Sequence, residues 1–204
     1  MLVFHYTGMQ TASLALDRMC DLATEVSAHY MIDENGSIWS LVEEADRAWH
    51  AGVAYWRGGT NINARSIGIE IVNPGHHFGY CAFPDVQMKS VIELSLDVLS
   101  RHPIPLQNVV GHSDIAPTRK IDPGEFFDWE SLAGLGIGLW PSQADYLEQD
   151  LNALASALTR IGYDVSNFSM ALKAFQRHYR PKRVTGRIDS ETARLIIGLS
   201  QIIE

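Results

Sequence analysis

Residues 66–72 read Ser-Ile-Gly-Ile-Glu-Ile-Val, a short β-branched run closed by Asn73-Pro74-Gly75. Such a run, bounded by turn formers, predicts a central β-strand. Glu70 inside it constrains the chain further. A carboxylate is costly to bury unless it is paired or close to a metal. Once desolvated, its pKa rises towards the range useful for a general base. Strand alternation leaves two orientations of Glu70 open, one into the molecule and one into water.

The rest of the first 130 residues alternates strand-like and helix-like stretches. Met1 to Tyr6 is a strand candidate, and Ser13 to Leu22 has helical apolar spacing. Ala28–Ile32 and Ile38–Val42 flank Asn35-Gly36, a strong hairpin signal. Residues 57–65 and 112–124 read as loops, Asp85–Arg101 as a long helix and Val109-Val110 as a short strand. This predicts an α/β domain, a mixed sheet flanked by helices. After a Gly-rich linker at 134–143 the pattern turns helical, at Ala144–Ile161, Ser169–His178 and Ser190–Ile203. Gly162 reads as a C-cap and Asp189-Ser190 as an N-cap. The expected units are residues 1–136 and a small all-α domain, 137–204.

Charge supports that border. Residues 1–135 carry 8 basic and 17 acidic side chains, whereas residues 136–204 carry 8 and 7. A chain of net charge −8 lacks the basic face of a nucleic-acid protein. Cys20 and Cys81 are too few for a disulfide framework and are expected to be small buried hydrophobes. No apolar run is long enough for a transmembrane helix, and no signal peptide is visible. A domain rarely opens in mid-strand, so further residues, an export signal among them, are expected upstream of Met1.

His5 ends one predicted strand, His112 follows another, and Asp122 lies in a Pro-flanked loop. Two imidazoles and a carboxylate suit Zn²⁺ and leave a fourth position for water, as in catalytic zinc sites. Spacing alone makes this a weak signal, and a turn-capping loop histidine is the plain alternative for His112. Lys120 precedes Asp122 by two residues and could face a developing oxyanion, or could belong to a solvated Arg119-Lys120 pair.

Several segments occur in order: His5-Tyr6-Thr7-Gly8, Ser27-Ala28-His29-Tyr30, Trp49-His50-Ala51-Gly52, Ser66–Glu70, Gly111–Pro117 and Lys120–Gly124. Together they resemble the zinc-dependent N-acetylmuramoyl-L-alanine amidases of the AmpD/AmiD type, which share a fold with peptidoglycan recognition proteins. The resemblance implies zinc ligands at His5, His112 and Asp122, a catalytic carboxylate at Glu70 and an oxyanion-stabilising lysine at Lys120. Ala28 stands where one branch of these proteins has a catalytic tyrosine, so the base role falls to Glu70. His29 reads as structural. His50, Trp49, Trp56 and Arg57 are candidate substrate contacts, and His76, His77, His102 and His178 are expected at the surface. Leu151, Leu154, Leu158, Gly162-Tyr163, Phe175-Gln176 and Thr185–Asp189 resemble a small helical peptidoglycan-binding module, and they read equally as packing core.

The implied activity is hydrolysis of the amide between muramic (or anhydro-muramic) acid and L-alanine in peptidoglycan or muropeptides. The implied location is the cell envelope, with the cytoplasm as the alternative. A non-catalytic peptidoglycan receptor and a zinc endopeptidase are the rival readings. The filled ligand set argues against the first and the motif order against the second.

Overall fold

Alternation along the first strand decides how the molecule is layered. In the computed structural model, which describes residues 1–145 and 150–203, strand β1 spans Leu2–Tyr6. Leu2 and Phe4 point to one face of the sheet, Val3 and His5 to the other. The neighbouring strand β4 (Ile67–Ile71) runs parallel in a register that pairs His5 with Glu70. Ile67, Ile69 and Ile71 therefore share a face with Leu2 and Phe4, and Glu70 shares one with His5. Strands β2 (Tyr30–Ile32), β3 (Ile38–Ser40) and β5 (Val109–Gly111) complete a mixed sheet of order β3-β2-β4-β1-β5. The expected hairpin is present as the antiparallel pair β2–β3.

Helix α1 spans Ala12–Cys20 and the one-turn α2 spans Gly75–Phe78; α3 spans Asp85–Arg101. On α3, Val91, Leu94 and Val98 are buried at helical spacing. They pack with Leu2, Phe4, Ile69, Ile71 and Phe127 on the first face. Full burial of each such aliphatic side chain is worth about 1.5–3 kcal/mol, which determines the face that α3 covers. Two short helices follow β5: α4, His112–Ile115, in a stretch expected to be loop, and α5, Trp129–Gly134.

The last three helices are α6 (Leu151–Ile161), α7 (Phe168–Tyr179) and α8 (Ser190–Gln201). The helix expected from Ala144 starts at Leu151, where the Asp150 side chain accepts the Asn152 N–H; residues 146–149 lie outside the described residues. Asp189 caps α8 by accepting the Thr192 N–H. Gly162 ends α6 at φ +141°, and a Cβ there would come within 2.7 Å of the Trp56 ring. One apolar cluster crosses the border expected near residue 136. Val3, Trp56, Ile62, Val110 and Ile115 pack with Leu158, Tyr163, Phe175 and Leu199. No helix among the described residues is long and apolar enough to cross a membrane.

Two expectations about burial fail. Cys20 and Cys81 are exposed free thiols rather than core residues. Cys20 is the last residue of α1, and Cys81 lies in the connection between α2 and α3. His178, expected at the surface, is buried. Its ring stacks between Trp129 and Tyr179, and its Nδ1 meets Asp114.

Candidate active site

His5 leaves the end of β1, His112 opens α4 directly after β5, and Asp122 returns on the following loop. The loop is held by the Ser113 N–H donating to the Asp122 carbonyl at 2.8 Å. Three buried donor atoms converge. His5 Nδ1 and His112 Nδ1 are 2.9 Å apart, and Asp122 Oδ2 lies 3.1 Å from the first and 3.0 Å from the second.

The surrounding partners assign both imidazole tautomers. Ser66 gives its single hydroxyl proton to the Ile62 carbonyl at 2.7 Å. Its Oγ therefore accepts from His50 Nε2 at 3.1 Å, which leaves His50 Nδ1 as an acceptor. His5 Nε2 donates to that nitrogen at 3.0 Å, so the proton of His5 points away from the centre. Independently, His112 Nε2 donates to the Ala51 carbonyl at 3.0 Å. In the neutral imidazoles two bare Nδ1 lone pairs and a carboxylate oxygen thus face one another. Three acceptors at this separation repel unless a cation lies between them. By this donor chemistry His5, His112 and Asp122 form a group that could hold a metal ion.

The electrostatics agree. Burial pushes His5 down to about 4, and the His112 charge adds to this against the pull of Asp122. Burial and the imidazoles of His5, His29 and His112 hold His50 well below its ordinary value. Burial would raise Asp122, but positive charge on His112 and His5 would overrule it and hold the carboxyl well below the usual carboxylate range; with both imidazoles neutral, that charge falls to a cation between the three atoms.

Glu70 stands beside this centre on β4. Burial pushes its carboxyl well above the ordinary range, the Asp122 charge adds to that, and Lys120 opposes it. Its Oε2 is sealed from solvent without a hydrogen-bond partner. A cleft of about 430 Å³ opens over the site, with Glu70, His50, His112, Lys120, Asp122 and Trp49 among its lining residues.

The N-acetylmuramoyl-L-alanine amidase family model matches residues 1–125. The chain belongs to that amidase family. N-acetylmuramoyl-L-alanine amidase AmiD of Escherichia coli (strain K12) is 38% identical over 219 residues, which span 94% of this chain and 78% of AmiD. The solved complex of E. coli AmiD with anhydro-N-acetylmuramic acid-L-Ala-D-gamma-Glu-L-Lys matches with a TM-score of 0.88 at 37% identity, over 98% of this chain and 88% of that one. 1,6-Anhydro-N-acetylmuramyl-L-alanine amidase AmpD of Haemophilus influenzae is 44% identical over 106 residues, 52% of this chain and 55% of its own.

In this amidase, the site residues anticipated from sequence separate into two groups. His5, His112, Asp122, Glu70, Lys120, Trp49 and His50 all belong to the converging group or line its cleft. Trp49 is half-exposed at the rim, with the Arg47 guanidinium 4.3 Å above its ring. Trp56 and Arg57 do not reach the cleft. Trp56 is buried against Tyr163 and donates its Nε1 proton to the Gln107 carbonyl at 3.2 Å. Arg57 donates to the Arg160 and Ile161 carbonyls at the end of α6. Both sit against the end of α6 and the residues that follow it. His50 contacts His5 as well as lining the cleft. Sequence reasoning missed Ser66, whose role depends on a hydroxyl sixteen residues from its imidazole partner. It also missed Arg119, which donates to the Ala51 and Val53 carbonyls at 2.8 Å and so holds the loop that His112 binds. Ser66 does open one of the ordered segments, Ser66–Glu70, and Arg119 reads in the sequence only as a solvated neighbour of Lys120.

Proposed function

We propose that the chain is a zinc hydrolase that cleaves the amide between the lactyl group of muramic or anhydro-muramic acid and L-alanine in peptidoglycan fragments. The convergence of His5 Nδ1, His112 Nδ1 and Asp122 Oδ2 beside the Glu70 carboxylate, whose Oε2 is buried without a hydrogen-bond partner, carries this reading. Two nitrogens and one oxygen form the three-protein-ligand set of catalytic zinc sites. The donor separations of 2.9–3.1 Å approach the roughly 3.3 Å that tetrahedral bonds of 2.0–2.1 Å require. When bound, zinc supplies a positive charge that polarises the scissile carbonyl and lowers the pKa of water to about 7.

Glu70 takes the proton of the attacking water as oxygen adds to the carbonyl carbon, and then delivers it to the L-alanine nitrogen as the C–N bond breaks. Its desolvated setting keeps its basicity high enough for the first transfer and its acidity useful for the second. Lys120 donates to the carbonyl oxygen as negative charge builds there. Trp49 at the rim offers an aromatic face to sugar or stem peptide, and His50 serves the site through His5.

Substrate class rests on the relatives, whose solved complex holds an anhydromuramyl peptide. Because those substrates derive from the wall, we place the enzyme's work in the cell envelope. The division into units 1–136 and 137–204 belongs to the same proposal. It is supported by a family match that ends at residue 125 and by the helices that follow residue 150.

Incubating purified sacculi and anhydromuropeptides with the protein, with and without chelator, tests the reading by product mass. A free stem peptide beginning at L-alanine, formed only without chelator, is the expected result. Cleavage within the stem or its cross-links would identify an endopeptidase, and binding without products a receptor; either would overturn the proposal.

A further inference from the structure

The helical C-terminal unit is fastened to both loops that carry the second and third metal ligands. Asp114, two residues beyond His112, is 1% exposed. Its Oδ2 accepts the Gly111 N–H at 2.8 Å, which closes the turn on which His112 sits. The same oxygen accepts from His178 Nδ1 at 2.8 Å, and Oδ1 accepts the Tyr163 hydroxyl at 2.7 Å. Two of these three donors therefore come from the far side of residue 136. A buried carboxylate left short of a donor costs roughly 1–3 kcal/mol, so Asp114 holds its place only while they are present.

The donors are themselves held. The His178 ring is stacked on Trp129 of α5 at a centroid distance of 3.7 Å and on Tyr179 at 3.9 Å. Next to it on α7, Arg177 Nε donates to Glu125 Oε1 at 2.8 Å, three residues past Asp122. Helix α7 thus grips the His112–Asp114 turn with one residue and the Asp122–Glu125 loop with its neighbour. A module tethered only to reach a distant wall has no need of a buried polar contact so close to the metal site.

We propose that Tyr163 and His178 are positioning residues of the metal site, acting through the Asp114 carboxylate on the turn that carries His112. The inference rests on the zinc reading above; partners hydrogen-bonded to the ligands themselves change affinity about 10–100-fold, and groups acting one step further out are expected at the lower end of that range.

The test uses the full chain and three variants at the clasp. Tyr163→Phe removes one hydroxyl. His178→Phe keeps the ring stack and removes the donor. His178→Asn keeps an amide donor near the Nδ1 position. Leu158→Ala, in the shared apolar cluster, serves as a packing control. Zinc affinity is read by chelator competition, thermal midpoint on the metal-free protein, and the His112 ring signal by NMR on the metal-free protein. Tyr163→Phe and His178→Phe are expected to weaken zinc at least about tenfold and to move or broaden the His112 signal. His178→Asn should recover most of the affinity, and Leu158→Ala should lower the midpoint with zinc affinity unchanged.

Wild-type zinc affinity in folded Tyr163→Phe and His178→Phe would overturn the proposal. So would an equal loss in Leu158→Ala. If the wild-type chain binds no zinc, the metal reading fails on its own, and the His112 signal of the metal-free variants decides the clasp: unchanged, it falls; displaced, it stands.

Discussion

The proton on Ser66 has consequences two imidazoles away. Because Ser66 gives it to the Ile62 carbonyl, His50 must donate to Ser66, and His5 must donate to His50. The lone pair of His5 Nδ1 is then free for a metal. Ser66→Ala removes the acceptor, which lets His50 place its proton towards His5 and reverses the chain. Zinc affinity is expected to fall about 10–100-fold, with Ser66→Thr restoring it. Isothermal titration or chelator competition checks this, and an unchanged Ser66→Ala affinity would show that the relay does not hold the tautomer. The convergence of His5, His112 and Asp122 was legible from the order of their motifs. The relay was not, because nothing in the one-dimensional pattern says which carbonyl a serine faces.

At the scale of elements, β4 does two jobs by alternation. Its isoleucines fill the α3 face, while Gly68 and Glu70 face the site. The sequence left the orientation of Glu70 open because both faces of the strand are covered: one by helix α3, the other by the cleft residues and the helical unit. Gly68 belongs to the same design. A Cβ there would lie 2.5 Å from His50 Cγ, so the imidazole rests directly on the strand backbone. Gly68→Ala should push His50 off His5, lower stability by about 1–3 kcal/mol through overpacking and weaken metal binding. Denaturant unfolding with and without metal measures both effects; a variant with wild-type stability and affinity would show that the imidazole has room to move. The strands and α3 were readable from apolar periodicity. The one-turn α4 was not, because its first turn is held by Asp114, whose other partners lie 49 and 64 residues away.

Across the whole molecule, the border drawn from charge and composition near residue 136 is crossed by packing. Trp56 and Arg57, legible as aromatic and basic loop residues suited to sugars and carboxylates, instead meet the end of α6. Burial of His178 has the same origin, since the stacking partner Trp129 lies on the other side of residue 136. Local pattern identified the sheet strands and the C-terminal helices and missed the surfaces where they meet, because such a surface looks like any solvated loop until its partner is present. The alignment with AmiD over 94% of the chain spans that junction, whereas the AmpD match covers 52%.

The central claim, that a metal held by His5, His112 and Asp122 works with Glu70 as the proton carrier, is tested most directly on Glu70→Gln. Zinc content and muropeptide turnover are measured on the same sample. Bound zinc matching wild type at one per chain, with turnover reduced at least about 10²–10⁴-fold, is the expected result. A zinc-loaded Glu70→Gln protein that turns over at near the wild-type rate would contradict it.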